Sequence, residues 1–452
     1  MSISESGGSA LQVRTDEGHE VEMPTAQAKG GGQVRRFNPT RPVVKVALLA
    51  ASILIVMTTS IIAPALPLIR EHFADQTNVD FWSRLVLTLP ALFIAGTAPI
   101  AGILVDRIGR KRVLISSVVL YGATGAASYL ATSLPVLLFS RAALGVAVGG
   151  LITSVSVLIA DYYSGVARAK FLGLQAGFMG LGASVFLVLG GSLAGIGWQM
   201  PFAVYFAAFA LLPLLILVVS EPRPYEKCAE KPAPIGDPAE CVAEALREGS
   251  VEAEESDRRK FPMSLAIFAY LLMMGTQIVF FLIPVQMPFY LRGLTQATAA
   301  QTGLALSTLT MAYAFAALMY GRLAKMIDRF GILTLAFGLI GSGFLLLSLA
   351  VGWTMILAGL IVGGLGLGWM VPNLNLWLAN GTPASVRGRA MGGLATALFL
   401  GQFLSPIISQ PASSALGLGG VFLGTSGIFL VLAPLSHLTR RQLKHMTALP
   451  AA

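Results

Sequence analysis

The chain has 452 residues, of which 55% are hydrophobic and only 12% are charged, and its formal net charge is +9. A mean hydropathy of +0.75 excludes an ordinary soluble domain, in which about a quarter of the residues carry charge. The surplus of Lys and Arg lies beside long apolar segments, so it indicates membrane orientation, and nucleic-acid binding is excluded.

The N-terminal 43 residues are polar and contain several glycines. They lack the apolar core of about 7 to 15 residues that a cleavable signal peptide needs. We predict a disordered cytoplasmic tail over residues 1–43, so the first apolar span itself directs insertion into the membrane.

Twelve apolar segments have about the 20 residues that a helix needs to cross a hydrocarbon core of about 30 Å. The first six lie near 44–69, 83–105, 113–132, 136–160, 171–196 and 200–220, and the second six near 262–290, 300–323, 332–351, 354–380, 390–413 and 420–438. We therefore predict an all-α integral membrane protein. Its twelve transmembrane helices form two pseudo-symmetric six-helix bundles, residues 44–220 and 262–438.

Residues 221–261 form an acidic linker between the predicted bundles, with ten Asp or Glu against three Lys or Arg between Glu226 and Asp257. A solvated linker is favoured over a regulatory amphipathic helix. Cys228 and Cys241 are the only cysteines, and their place in a cytoplasmic loop indicates neither a disulfide nor a metal site. Residues 439–452 are predicted to form a cytoplasmic tail.

Orientation follows from the basic residues of the short loops. Four loops on one side carry eleven Lys or Arg, and the loops on the opposite side carry three. Basic loops stay in the cytoplasm. We predict a multi-pass protein of the inner (plasma) membrane with both termini in the cytoplasm.

Two related loops indicate a gate. GILVDRIGRKR runs from Gly102 to Arg112, and a degenerate copy, AKMIDRFG, runs from Ala324 to Gly331. Glycine allows close helix approach, aspartate offers a carboxylate to a helix N-terminus, and the basic residues hold the loop in the cytoplasm. A simpler interpretation is that Asp106 only fixes topology and caps a turn. The candidate gating residues are Gly102, Asp106, Arg107, Gly109, Arg110, Arg168, Asp328, Arg329, Gly331 and Arg387.

The two halves of the chain align with each other. Asp106 matches Asp328 at a spacing of 222 residues, and Arg168 matches Arg387 at a spacing of 219 residues. Several matches at nearly one spacing predict two bundles related by an axis along the membrane normal, with a pathway between them.

Over residues 44–438 the chain resembles the major facilitator superfamily. The family pattern of the loop between the second and third spans is met by Gly102, Asp106, Arg107, Gly109, Arg110 and Lys111. A pattern of the fourth span, an arginine followed four residues later by glycine, is met by Arg141 and Gly145. The antiporter pattern of the fifth span is met only in part, because Phe186 and Leu187 replace its Gly-Pro pair.

The resemblance implies alternating access, in which Asp106 closes the cytoplasmic side by contacting the start of the eleventh predicted span, near Arg389. Asp328 would contact the start of the fifth predicted span, near Phe171. It also implies that Arg141 takes part in coupling; the alternative is a structural hydrogen-bond hub. Polar residues of the first, fourth, seventh and tenth spans are the candidates for binding or coupling: Thr58, Thr59, Arg141, Tyr270, Gln277, Gln286, Asn373 and Asn375. Phe280, Phe281, Trp369 and Trp377 are weaker candidates for apolar walls.

No acidic residue lies deep in a predicted span, so a buried proton-carrying carboxylate is missing. A central arginine without a carboxylate disfavours cationic substrates and favours neutral or anionic amphipathic ones.

The leading hypothesis is a monomeric, proton-coupled exporter of small organic molecules in the lipid bilayer, without a cofactor. A facilitator or importer of organic anions or metabolites is the alternative. A membrane enzyme has little support because the four histidines lie at span ends or in tails, and the paired loops disfavour a channel or receptor.

Overall fold

A computed structural model describes residues 3–6, 10–14, 20–24, 42–221 and 263–438. The chain divides into two units, residues 1–38 and residues 39–452. The predicted C-terminal tail lies outside the described residues, as does the predicted linker apart from Glu221.

The first unit contains three strands, β1 (Ile3–Ser6), β2 (Ala10–Arg14) and β3 (Glu20–Pro24). They form an antiparallel sheet in the order β1-β2-β3. The sequence analysis predicts disorder here, and the structure differs over these three stretches. The physical reason lies in β2 and β3, where apolar and polar residues alternate from Leu11 to Arg14 and from Glu20 to Met23 with the period of two that suits a strand.

The described residues of the second unit form helices joined by short loops, with two short 3₁₀ turns at Ala63–Ala65 and Val204–Phe206. Its helices are α1 (Pro42–Ser60), α2 (Leu66–His72), α3 (Val79–Ile108), α4 (Arg110–Tyr129), α5 (Leu134–Tyr162), α6 (Gly165–Ala194), α7 (Met200–Ala203), α8 (Ala207–Val218), α9 (Met263–Thr295), α10 (Ala299–Met326), α11 (Arg329–Ser348), α12 (Trp353–Gly381) and α13 (Ala384–Leu438). Large apolar side chains such as Phe139 and Leu217 are exposed on its surface, as lipid-facing side chains would be.

Ten helical segments of the described ranges are long and apolar enough to cross a membrane. The predicted third span falls in α4, which is not among the ten and which opens with Arg110, Lys111 and Arg112. The last two predicted spans both fall in α13, whose 55 residues are interrupted only at Gly417, with φ 71° and ψ 166°. The number twelve therefore stays a prediction.

Helices of the first half, α1–α8, pack against those of the second half, α9–α13, chiefly through α6 with α10 and α3 with α13. Small residues allow the first of these contacts. A Cβ at Gly303 would collide with the carbonyl oxygen of Leu187, and a Cβ at Gly191 would collide with that of Ala299. The two halves thus meet backbone to backbone along α6 and α10.

Candidate functional site

A cavity of about 290 Å³ lies between the two halves. Residues of α1, α3 and α6 line one wall, and residues of α9, α10 and α13 line the other. Two prolines on the wall, Pro90 of α3 and Pro284 of α9, interrupt the backbone hydrogen bonding of their helices and favour a bend at cavity depth. Another cleft, of about 420 Å³, lies between α10 and α12 near Gln301 and Trp353, and its lining comes only from the second half.

The cavity wall is mostly apolar. Its polar side chains among the described residues are Thr58, Thr59, Ser60, Thr310 and Gln402, and none of its lining side chains is charged. No group of three or more His, Cys, Asp or Glu in the described part of the chain is arranged to hold a metal ion. The wall offers hydrogen bonds and apolar contact to a ligand, and no counter-charge.

Two of the five polar groups are already engaged. Thr58 Oγ1 donates to the Leu54 carbonyl at 3.0 Å, and Thr310 Oγ1 lies 2.9 Å from Ser184 Oγ across the two halves. The side chains of Thr59, Ser60 and Gln402 form no hydrogen bond with any described residue. These three groups are available to a ligand.

Arg141 of α5 is fully buried, at 0% exposure, and is not part of the cavity wall. Its guanidinium donates to Tyr205 Oη at 3.1 Å and to Ser128 Oγ, and it lies 5.0 Å from the ring centroids of Phe202 and Tyr205. Tyr205 Oη in turn donates to the Thr58 carbonyl at 2.8 Å. The guanidinium therefore joins helices inside the first half, and these contacts connect it to the cavity wall through Tyr205 and the backbone of α1.

Of the other candidate binding residues, Thr58 and Thr59 lie on the cavity wall and the remaining five do not. Gln277 is buried outside the cavity lining. The other four are occupied by contacts to protein groups: Tyr270 with the Ala390 carbonyl, Gln286 with Arg84 and Ser409, Asn373 with Tyr320 and the Arg329 carbonyl, and Asn375 with the Val371 carbonyl.

Phe280 and Phe281, two of the four aromatic candidates for apolar walls, lie on the cavity wall, and Phe399 also lines it. Trp377 instead packs between Phe268 and Phe330, at centroid distances of 5.5 and 4.9 Å. The aromatic wall is thus built from α9 and α13.

At one end of the helices, which we call the Arg84 end, the two halves are joined by polar contacts. Arg84 of α3 is 5% exposed, donates to Gln286 Oε1 of α9 at 2.9 Å and lies over the Phe289 ring at 4.0 Å. Gln286 donates onward to Ser409 of α13 at 2.9 Å. Arg84 is one of the three basic residues, with Arg70 and Arg292, that were counted above in the less basic loops, and no local sequence pattern marks its partner.

A surface ion pair reinforces the Arg84 end. Arg292 of α9 contacts Glu71 of α2 at 2.7 Å. Both side chains are 40% or more exposed, so this pair alone contributes little, about 0 to 1 kcal/mol. The buried contacts of Arg84 are the main closure at this end.

The opposite end, the Asp106 end, lies about 33 Å from Arg84 along α3 at a rise of 1.5 Å per residue. Asp106 is exposed and forms no hydrogen bond or ion pair with a described residue. A Cβ at Gly173 of α6 or at Gly392 of α13 would meet nothing within 4 Å. Among the described residues, the predicted contact of Asp106 with the start of the eleventh span, which is the start of α13, is absent, and the polar closure between the halves lies at the Arg84 end.

Asp328 caps its own helix, because its Oδ1 accepts from the Gly331 backbone N–H at 3.2 Å at the start of α11. Phe171, near its predicted partner position, stacks on Tyr163 at 4.8 Å. The structure thus shows Asp328 in a local capping role in this conformation.

Sequence reasoning missed Glu221, which follows α8. Its carboxylate accepts from the backbone N–H groups of Arg110 at 2.7 Å and Lys111 at 2.9 Å, the first residues of α4. The side chain of Arg110 pairs with Asp161 at 3.2 Å. The only available signal was an acidic residue directly after a span, where a carboxylate can meet a helix N-terminus.

Comparisons with known proteins agree with this architecture. A family model described as Major Facilitator Superfamily matches residues 48–298 and 269–450. The bacterial homolog of the human lysosomal transporter Spinster, solved in an inward-facing and occupied conformation, has a TM-score of 0.71 and 17% identity, covering 91% of this chain and 99% of that one. A D-xylose-proton symporter structure has a TM-score of 0.67 at 17% identity, covering 87% and 96%.

Curated relatives match shorter regions. The multidrug efflux pump LfrA of Mycolicibacterium smegmatis is 31% identical over 182 residues, 40% of this chain and 35% of its own length. The arabinose-proton symporter of Escherichia coli is 30% identical over 213 residues, 47% of this chain and 44% of its own length. The chain thus spans less than half the length of these relatives. Because the family model covers both halves of the helical unit, the chain belongs to the Major Facilitator Superfamily.

Proposed function

We propose that the protein is a secondary active transporter that moves small organic molecules across a membrane by alternating access. The observation that carries the proposal is a cavity between two halves whose described residues join them by polar closure at the Arg84 end and not at the Asp106 end. Non-covalent contacts hold the closed end, so each transport cycle can break and remake them. The open and closed ends would then exchange roles around a fixed central cavity.

We propose that twelve spans form two six-helix bundles, residues 44–220 and 262–438. Two observations support this number: α4 has 20 residues, and the break at Gly417 divides α13 into two stretches. The Asp106 end faces the cytoplasm in this proposal, as do both termini, and the protein resides in the plasma membrane. Support comes from the eleven basic residues in the loops of that end, against three in the opposite loops.

Proton-coupled export is the proposed direction of transport. The relative named as a multidrug efflux pump supports export, and the relative named as an arabinose-proton symporter supports proton coupling. A facilitator or importer is the second candidate. It is favoured by the absence of any Asp, Glu or His side chain from the cavity wall formed by the described residues.

Asp106 is proposed as the latch of the other conformation. It is exposed and has no hydrogen bond or ion pair with a described residue, and the N-terminal turns of α13, its proposed partner, lie at the same end. A carboxylate at a helix N-terminus is worth about 0.3 to 2 kcal/mol, which is small enough to break in every cycle.

The proposal is tested with purified protein in liposomes under an imposed pH gradient. Internal pH and solute flux are recorded while neutral, anionic and cationic compounds are added. Ala183→Phe is expected to reduce flux at least severalfold because Ala183 lines the cavity and is 7% exposed. Ala127→Phe is the control, since Ala127 is exposed on α4 and lies outside the cavity.

Saturable flux that Ala183→Phe suppresses and Ala127→Phe spares supports transport through this cavity. Proton movement triggered by substrate supports coupling, and its sign gives the direction. Absence of saturable flux for every compound class would contradict the proposed function, and flux untouched by Ala183→Phe would contradict the route.

A further inference from the structure

Gln402 stands out among the polar groups of the cavity. Its side chain is half-buried on α13, and its amide forms no hydrogen bond with any described residue. By contrast, Gln286 on the neighbouring helix uses both ends of its amide within the protein. A primary amide carries donors and an acceptor, and a half-buried one without partners is placed to pair with a ligand.

The opposite wall carries a second available group. Thr59 of α1 lines the same cavity, and its hydroxyl also forms no hydrogen bond with a described residue. Gln402 belongs to the second half of the chain and Thr59 to the first. A ligand that forms hydrogen bonds with both side chains would bridge the two halves, so a rearrangement of the halves would break one of these bonds and favour release.

The remaining wall fits an apolar, flat body. Phe280, Phe281 and Phe399 contribute aromatic surface, and Leu187 and Leu309 contribute aliphatic surface. Aromatic side chains favour stacked or edge-on contact with another ring. The cavity of about 290 Å³ is at the small end of ligand sites, so the body is compact.

A charged ligand would meet no side chain of opposite charge on this wall. Its described lining includes no Lys, Arg, His, Asp or Glu, and the guanidinium of Arg141 is buried behind α1 in contacts with Tyr205 and Ser128. Moving an ion from water to an apolar site without a counter-charge is unfavourable. The expectation of anionic substrates depended on Arg141 facing the pathway, and its position removes that support.

We propose that the cavity selects an uncharged molecule with a compact aromatic or flat apolar body and one amide-like hydrogen-bonding group, which the Gln402 amide recognises. This inference rests on the proposed function, whose substrate class it names. Gln402 is then the residue that determines specificity, with Thr59 supplying a second hydrogen bond from the facing wall.

Thermal unfolding of the purified full chain in detergent tests the inference, because a bound ligand raises the melting temperature. The probes share one ring system: 2-naphthamide, 2-naphthoate and 2-naphthylmethylammonium. We expect the amide to stabilise the protein at concentrations at least tenfold lower than either ion. Gln402→Met should weaken amide binding about threefold to tenfold, the loss of one neutral hydrogen bond.

A charge variant sharpens the test. Gln402→Glu keeps the shape of the side chain and adds a carboxylate, so it should transfer the preference to the ammonium probe. Gln410→Met is the matched control, because Gln410 lies on the same helix outside the cavity lining. It should bind all three probes as the unaltered protein does.

The inference is overturned if either ion stabilises the unaltered protein at lower concentration than the amide, if Gln402→Met leaves amide binding unchanged, or if no probe stabilises the protein. Its failure is separable from that of the proposed function. Saturable liposome flux of ions alone would leave transport standing and reject this substrate class. Stabilisation by the amide without saturable flux of any compound would reject the proposed transport and leave the ligand class of the cavity standing.

Discussion

Among single residues, the buried Arg141 shows how the protein accommodates a charged side chain inside an apolar helix bundle. A guanidinium inside an apolar helix bundle needs acceptors and ring faces around it, and Tyr205, Ser128 and Phe202 supply them. Its planar fork reaches two acceptors on different helices at once. This arrangement favours the structural alternative that the sequence analysis left open, and any role in coupling would act through Tyr205 and the Thr58 backbone.

Arg141→Lys is predicted to destabilise the first half of the helical unit. Lysine keeps the charge and cannot reach both Tyr205 and Ser128, so at least one buried hydrogen bond is lost, at a cost of about 1 to 3 kcal/mol. The melting temperature in detergent should fall clearly, while binding of a cavity ligand to the folded protein should change little. Arg112→Lys, at an exposed position at the start of α4, serves as the control.

An unchanged melting temperature together with lost ligand binding would reverse this interpretation. It would mean that the guanidinium contacts substrate in a conformation other than this one.

At the scale of elements, the start of α4 is set by a residue far along the chain. Glu221 follows α8 and accepts two backbone N–H groups of α4, which are otherwise unpaired at a helix N-terminus. Lys111 adds a bond from its Nζ to the Ile216 carbonyl at 2.7 Å. The end of α8 and the start of α4 are thereby fastened together at the Asp106 end, beside the gating loop.

Glu221→Gln is predicted to loosen the first turn of α4. The amide retains one acceptor oxygen and loses the charge that favours the helix N-terminus, which costs about 1 kcal/mol. Amide hydrogen exchange of the Arg110–Val113 segment, followed by mass spectrometry, should accelerate about fivefold. Glu71→Gln, at the opposite end of the helices, should leave exchange in that segment unchanged.

Equal exchange in Glu221→Gln and the unaltered protein would show that the contact contributes nothing to the stability of α4. The gating loop would then be held by other contacts, such as those of Arg110 with Asp161 and of Lys111 Nζ with the Ile216 carbonyl.

At the scale of the whole molecule, hydropathy was enough to predict the helical, membrane-spanning character and the approximate places of the long apolar helices. It could not fix the number of spans, because α13 continues through the predicted turn with a break only at Gly417. Composition alone does not predict the N-terminal strands, whose signal is the alternation of apolar and polar residues from Leu11 to Arg14 and from Glu20 to Met23.

The site was harder to predict than the fold. Thr58 and Thr59 were candidates because the first span lines the pathway in the family, and both lie on the cavity wall. Gln402 was not, since nothing in the local sequence distinguishes it from Gln410 on the same helix. Contacts such as Arg84 with Gln286 join residues 202 positions apart, and only the packing of the halves brings them together.

In the proposed transport cycle, one cavity opens alternately at the Arg84 end and at the Asp106 end. Arg84→Gln removes charge-assisted contacts across the halves worth about 2 kcal/mol, so the population open at the Arg84 end should rise on the order of thirtyfold. Arg70→Gln is the control, because the partner of Arg70, Asp80, belongs to the same half.

The decisive measurement is the side from which a cavity cysteine reacts. Thr59→Cys is introduced with Cys228→Ser and Cys241→Ser, and a membrane-impermeant thiol reagent is applied to either face of proteoliposomes of known orientation. We predict reaction from the Asp106 side in the unaltered background and in Arg70→Gln, and additional reaction from the Arg84 side in Arg84→Gln. Reaction from one side only in all three backgrounds, or from neither, would contradict alternating access through this cavity.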